Sequence, residues 1–206
     1  GLTLLLGDNA GGGAGVDYIG QVTMGSPYLA TDEWTHICGT YDGTRVAGGI
    51  KIYVNGAVVA TAPSTGAGTY TAMDTTAADL VIGRTWANLT SNVAEGFIDE
   101  VAVFDKELSA AEVSEVYNTH QAFNLNTFSA VGNIVSWWRM GDKAEGTSPN
   151  YTIPDQIGSN DATMTGFLGD ATSGVVNEAI KGFDTNKITA DVNCLWWKER
   201  AERDNA

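Results

Sequence analysis

Apolar and polar residues alternate through most of the first 105 positions, in short runs separated by glycine, asparagine and aspartate. A period of two is the mark of strands with one face buried. Residues 2–6 read as a strand, 7–15 as a glycine-rich turn, and 17–23 as the hairpin partner. A glycine-rich turn can also cradle phosphate, but 7–15 leads into no helix and carries no P-loop lysine. Residues 33–41, EWTHICGTY, form the next strand, closed by Asp42-Gly43; Trp34, His36 and Cys38 share one face, Thr35, Ile37 and Tyr41 the other. Residues 49–54 run into Asn55-Gly56, a strong hairpin signal, and 57–62 return. A small polar loop follows at 63–76, a strand at 78–83, and a second long loop at 84–94 with Trp86 in its middle.

Residues 96–105, GFIDEVAVFD, read as one continuous strand. Alternation puts Phe97, Asp99, Val101 and Val103 on one face and Ile98, Glu100, Ala102 and Phe104 on the other. Both faces are largely apolar, which predicts a strand inside a layered structure. A short helix follows: Ser109 and Glu112 have the spacing of a capping box, Leu108 and Val113 that of a hydrophobic staple, and Val113, Val116 and Tyr117 make one apolar stripe. About seven short strands and one short helix predict an all-β sandwich of two antiparallel sheets. Beyond a connector at 119–133, IVSWWRM at 134–140 is a strand whose adjacent tryptophans face opposite ways. Residues 141–160 read as polar and turn-rich, and 161–167 as a short strand. Periodicity then stays weak until Cys194-Leu195-Trp196-Trp197, which with the charged residues after it is helix-compatible. We expect Trp196 and Trp197 to dock onto this domain or a neighbour.

Composition narrows the picture. The 206 residues are 43% hydrophobic, enough for a sizeable core, and the 25 glycines against 4 prolines suit many tight turns. The net charge of −14 argues against a nucleic-acid backbone as partner, and fits cation binding or an acidic solvated surface. No run of about 20 apolar residues is present to insert into a membrane. The chain opens on Gly1 without an initiator methionine, so a processed or partial chain is expected. Cys38 lies mid-strand and is expected to be a buried free thiol, with a bridge to Cys194 the other possibility. His36 and Cys38 on one face are too few for a metal site, and a packed, hydrogen-bonded histidine is expected.

Four motifs keep their order and spacing together: EWTHICGTYDG at 33–43, IKIYVNG at 50–56, LVIGR at 80–84 and GFIDEVAVFDKELSAAEV at 96–113. In these the chain resembles a laminin-G-like domain of the concanavalin A-like lectin/glucanase superfamily over residues 29–118. The resemblance implies a jelly-roll sandwich with one short helix and a C-terminal extension. Family members usually open with a strand like 134–140 and a D-x-x-G-x-N-D-A-T segment. Here SWWRMGD at 136–142 and DQIGSNDATMTG at 155–166 come after the helix. Either 119–168 closes the sandwich of 1–118, or it opens a second one; closure is preferred, because an unpaired sheet edge is a liability. Residues 169–206 then form an extension that docks. The tryptophan-rich segments are also similar, more loosely, to those of large structural proteins of marine tailed phages.

The superfamily includes glycoside hydrolases, which need two carboxylates about 5–5.5 Å apart for retention. In FIDEV at 97–101, Phe97 and Val101 stand where the two glutamates would be needed, and Glu100 faces away from Asp99. With His36 and His120 the only histidines, and neither in a nucleophile-elbow context, a catalytic triad also lacks support. No enzyme activity is expected. Asp99, on an apolar face, needs backbone amides, an arginine such as Arg84, or a cation. The resemblance allows calcium there, with Asp42 as a second ligand, although Asp8, Asn9, Asp17 and Asp42 are turn residues first. Trp86, Tyr70 and Asn88 on the two long loops are the residues expected to bind a glycan. The expected role is a structural or adhesive module of an extracellular or virion-surface assembly, a capsid decoration or tail appendage, held by protein partners or self-association. A calcium-dependent carbohydrate-binding domain of a secreted protein is the alternative, and a glycoside hydrolase the third.

Overall fold

The computed structural model describes residues 1–8, 17–25, 28–29, 33–66, 68–73, 80, 82, 96–140, 145–147, 150–164 and 194–199. The first hairpin forms as its alternation predicts. β1 (Thr3–Asp8) pairs antiparallel with β2 (Asp17–Thr23), Thr3 opposite Val22 and Asp8 opposite Asp17. β3 (Thr35–Tyr41) pairs with β4 (Ile50–Val54), and the turn into β5 (Ala57–Val58) has Asn55 at φ 48° and Gly56 at φ 77°, the left-handed pair a tight hairpin demands. β6 (Thr61–Thr65) leaves that sheet and pairs with the far side of β2. Its first three residues after Ala62 had read as loop. Pro63 is accommodated because β6 is the outer strand of the sheet β1-β2-β6, where a missing amide breaks no ladder.

The run 96–105 is two strands, not one. β7 (Gly96–Asp99) and β8 (Val101–Phe104) are separated by Glu100 at φ 52°, and they join different sheets. The Asp99 carboxylate holds the break, accepting from the Glu100 amide at 2.8 Å. The left-handed residue resets the alternation. Ile98 packs with Val101 and Val103 in one cluster, while Ala102 and Phe104 belong to another. β8 pairs with β9 (Ile134–Trp138), in which Trp137 and Trp138 do face opposite ways, into these same two clusters. The helix α1 (Ala110–Tyr117) carries both halves of its capping box, and Leu108, Val113 and Val116 are fully buried.

Two parts of the C-terminal region differ from expectation. Residues 145–153 are not only turns: β10 (Glu145–Thr147), β11 (Asn150–Ile153) and β12 (Ala162–Met164) form a small antiparallel meander. The segment read as helix-compatible is β13 (Cys194–Glu199), and it lies between β3 and β7 in a five-stranded sheet of order β5-β4-β3-β13-β7. Trp196 and Trp197 therefore sit on a strand inside this domain's own sheet, where two open strand edges outweigh a local preference for helix. Cys38 is disulfide-bonded, not a free thiol. The chain has one other cysteine, Cys194, and the register sets it directly opposite Cys38.

The five-stranded sheet is covered on both faces. Cys38 and Tyr53, cross-strand partners, face the main core with α1, β8 and β9. On the other face, Leu4 of β1 lies against Gly39, where any β-carbon would stand 2.7 Å from the leucine Cδ2. Gly39 thus lets the two sheets approach closely, and Ile19, Ile50, Leu4, Leu6 and Tyr41 fill the space beside it.

Candidate functional site

A concavity of about 350 Å³ opens between β2, the turn after β3 and the chain leaving β6. Its floor is apolar: Ile19, Ala47 and Tyr70 are between 5% and 7% exposed and belong to the core cluster between the sheets. Its rim is mixed: Arg45, Val46, Thr65 and Thr69 are exposed and Tyr18 is half-buried.

The turn that carries Arg45 is built residue by residue. Asp42 Oδ1 accepts from the Thr44 amide at 2.9 Å and from its hydroxyl at 2.6 Å, and these bonds hold the Asp42 carboxyl below its ordinary range. The Arg45 amide donates to the Tyr41 hydroxyl at 2.6 Å. Arg45 itself is left-handed, φ 63°, a conformation uncommon for a residue with a β-carbon and found where surroundings over-determine it. Gly49 closes the turn; a β-carbon there would come within 2.1 Å of Asp42 Oδ1. A 3₁₀ turn at Ala47–Gly49 is pinned to β2 by the buried Gln21 side chain, whose Nε2 donates to the Ala47 carbonyl at 2.7 Å. On the opposite rim, the Gly66 amide donates to the Tyr18 carbonyl at 2.9 Å, and Gly68 passes so close to Asp17 that a β-carbon would lie 1.7 Å from Oδ1.

An apolar floor, a phenol, two threonine hydroxyls and a guanidinium suit a small ligand with one apolar face and several hydroxyls. The volume falls at the small end of the range of ligand sites. Among the described residues none lining the concavity is Asp or Glu, so these present no carboxylate pair to a glycosidic bond.

Of the residues singled out in the sequence, Tyr70 lines this concavity, but as part of its buried floor and not as an exposed loop aromatic. Trp86 and Asn88 lie outside the described residues, as do Arg84 and all but Leu80 and Ile82 of the strand read at 78–83. Asp42 borders the site as the residue that shapes the turn. It is not brought to Asp99: Trp196 is opposite both His36 and Asp99, which leaves Asp42 six residues farther along β3, roughly 20 Å away. Among the described residues no three of His, Cys, Asp and Glu converge as a metal cluster. His36 is fully buried, its ring 5.7 Å from that of Tyr117.

Sequence reasoning passed over Tyr18 and Arg45. Arg45 had a signal: it is one of 11 cations in a chain with 25 acids, set between Gly43 and Gly48-Gly49. Glu100, set aside in the sequence as a hydrolase acid, is the most deeply buried acid among the described residues, and it accepts from Trp137 Nε1 at 2.9 Å and from Arg139 Nε at 3.2 Å. The Arg139 guanidinium lies 5.7 Å from the centre of the Trp137 ring. This network is enclosed between β8 and β9 and serves the fold. The D-x-x-G-x-N-D motif does likewise. Asp155 accepts from the amides of Trp137, Ile157 and Asn160, Asn160 reaches Ser136 Oγ at 2.8 Å, and Trp138 Nε1 donates to the Asn160 carbonyl at 2.7 Å.

A family model described as the concanavalin A-like lectin/glucanases superfamily, of the laminin G type, matches residues 5–114. No curated protein and no solved structure matches the chain.

Proposed function

The chain belongs to the concanavalin A-like lectin/glucanase superfamily, and from that premise we propose that it is a non-catalytic, saccharide-binding module working at an extracellular surface. The observation that carries the reading is the concavity under Arg45, with its buried apolar floor and hydroxyl-bearing rim. A pyranose ring offers a C–H face to Ile19 and Tyr70, hydroxyls to Thr65 and Thr69, and an acceptor oxygen to Arg45. The non-catalytic part rests on a lining that holds no acid among the described residues and on the engagement of Asp99 and Glu100 in backbone and ion-pair contacts.

The disulfide at Cys38 supports an oxidising location, since such bonds persist outside the cytosol. The acidic charge disfavours nucleic acid. Within this reading the module is part of a larger assembly, a virion surface in the first place, as a capsid decoration or tail appendage. What supports that step is a resemblance, looser than the family one, of the tryptophan-rich segments 136–142 and 195–203 to those of phage structural proteins.

A glycan array tests the binding. Wild type should retain a restricted set of saccharides. Arg45→Gly, which suits the left-handed backbone while deleting the guanidinium, should lose them at an unchanged melting temperature. Trp86→Ala separates this site from the loop at 84–94. No retention of any sugar, or full retention by Arg45→Gly, refutes the proposal.

A further inference from the structure

β13 completes the five-stranded sheet from outside the matched stretch. Residues 5–114 include β3 and β7, and Cys194–Glu199 lies between them. It is antiparallel to both, Cys194 to Trp197 facing Cys38 to Thr35 and Trp196 to Glu199 facing Asp99 to Gly96. Among the described strands no other joins β3 to β7, so removing β13 leaves two unpaired edges facing each other. The preceding strand does not carry it there: residues 165–193 intervene between β12 and β13. That length spans up to roughly 100 Å extended. A domain of this size has a radius of gyration of roughly 17 Å, so the reach exceeds the domain's own width.

We propose that the cleft between β3 and β7 is a strand-acceptor site whose second occupant is β13 of another copy of this chain. The two arrangements make the same backbone pairs and bring the same cysteines together, which is the condition for exchange of an element between copies. Their balance is set by concentration. A tethered strand competes at an effective concentration of about a millimolar. Dilute chains close on themselves, and copies crowded in an assembly exchange. Reciprocal exchange closes a dimer; one-way exchange continues as a chain of copies. Cys38 is fully buried with the cleft filled, so a bond to it from another chain reports a strand seated in that cleft. In either arrangement two thiols form one S–S bond, and their two electrons and two protons pass to a low-molecular-weight disulfide, which leaves as two thiols.

Two full-length variants, Cys38→Ala and Cys194→Ala, test this, because neither can close its own bridge. They are reduced, unfolded, mixed and refolded with oxidised glutathione, then separated without reductant. Seating of one chain's β13 against the other's Cys38 makes the mixed dimer more abundant than both same-variant dimers together, increasingly so at higher concentration. A mixed dimer no more abundant than random pairing gives, or none, overturns the proposal. Wild type refolded over a range of concentrations decides the matter should a variant fail to fold. A reductant-sensitive dimer that grows with concentration supports exchange, and monomer throughout overturns it.

Discussion

Lowering the pH from 7 to 5 should weaken the fold by about 2 kcal/mol through His36 alone. Its side chain is fully buried on β3, beside Tyr117, which in turn stacks edge-on with His120 at 5.1 Å. Burial strips water from the imidazolium, the nearby His120 charge adds a smaller push, and together they lower the pKa from 6.5 to about 3. The folded protein therefore keeps His36 neutral while the unfolded chain takes up a proton below 6.5. Stability is complete above that value and is lost as pH falls toward 3, at about 1.4 kcal/mol per unit. From 6.5 to 5 this is 1.5 units, hence about 2 kcal/mol, or roughly 4–8 °C in melting temperature for a domain of this size. The carboxylates of Asp42, Glu112 and Asp155 have lowered values in the fold and lose their contribution only at more acid pH, so the window is specific to histidine. The assay is urea unfolding at pH 7, 6 and 5 for wild type and His36→Phe. The backbone bond from the His36 amide to Asn55 Oδ1 survives in that variant. Wild type should lose about 2 kcal/mol more than the variant across the range. Parallel pH profiles would refute the reasoning.

Arg139→Met should cost about 3–5 kcal/mol in urea unfolding, because it removes an ion-pair partner from the buried Glu100 carboxylate. The double variant Glu100→Gln, Arg139→Met should recover much of that loss. Reduction of the Cys38 disulfide should lower stability by up to about 5 kcal/mol, given the long ring closed between 38 and 194, read as the shift in urea midpoint with and without reductant. Gly158→Ala should cost about 1–3 kcal/mol by calorimetry, since its β-carbon would stand 2.6 Å from Asp155 Oδ2 and 2.9 Å from the Val135 carbonyl. A chelator should leave the melting temperature unchanged, because Asp42 and Asp99 are far apart and each is engaged by its own turn; a rise with added calcium would contradict this.

What could be read in the chain was local. Asn55-Gly56, the Ser109–Glu112 box and the opposed Trp137 and Trp138 each announce their geometry within a few residues, and each forms as announced. The misreadings came where distant partners decide. Glu100 adopts a left-handed backbone that its residue type does not advertise, and the reward is a buried ion pair with Arg139, 39 positions away. Pro63 reads as a breaker until β6 proves to be an outer strand. LWWKE looks like helix in isolation and becomes β13 because β3 and β7 both offer open edges. The sequence left Cys38 open between a free thiol and a bridge to Cys194, and that register decides for the bridge. The candidate site was only half visible. Tyr70 was flagged for glycan binding, though as an exposed loop aromatic, and Asp42 for a metal, while Tyr18 and Arg45 meet only through the packing of β2 against the turn 42–47.

The claim on which the functional account depends is that saccharide binds in the concavity of the disulfide-intact protein. Titrating a retained glycan into isotopically labelled protein and mapping the amide resonances tests it directly. The account predicts concentration-dependent shifts grouped at Tyr18, Arg45, Val46, Thr65 and Thr69 and absent in Arg45→Gly. Shifts confined to residues 84–94, or none at any concentration, would contradict it.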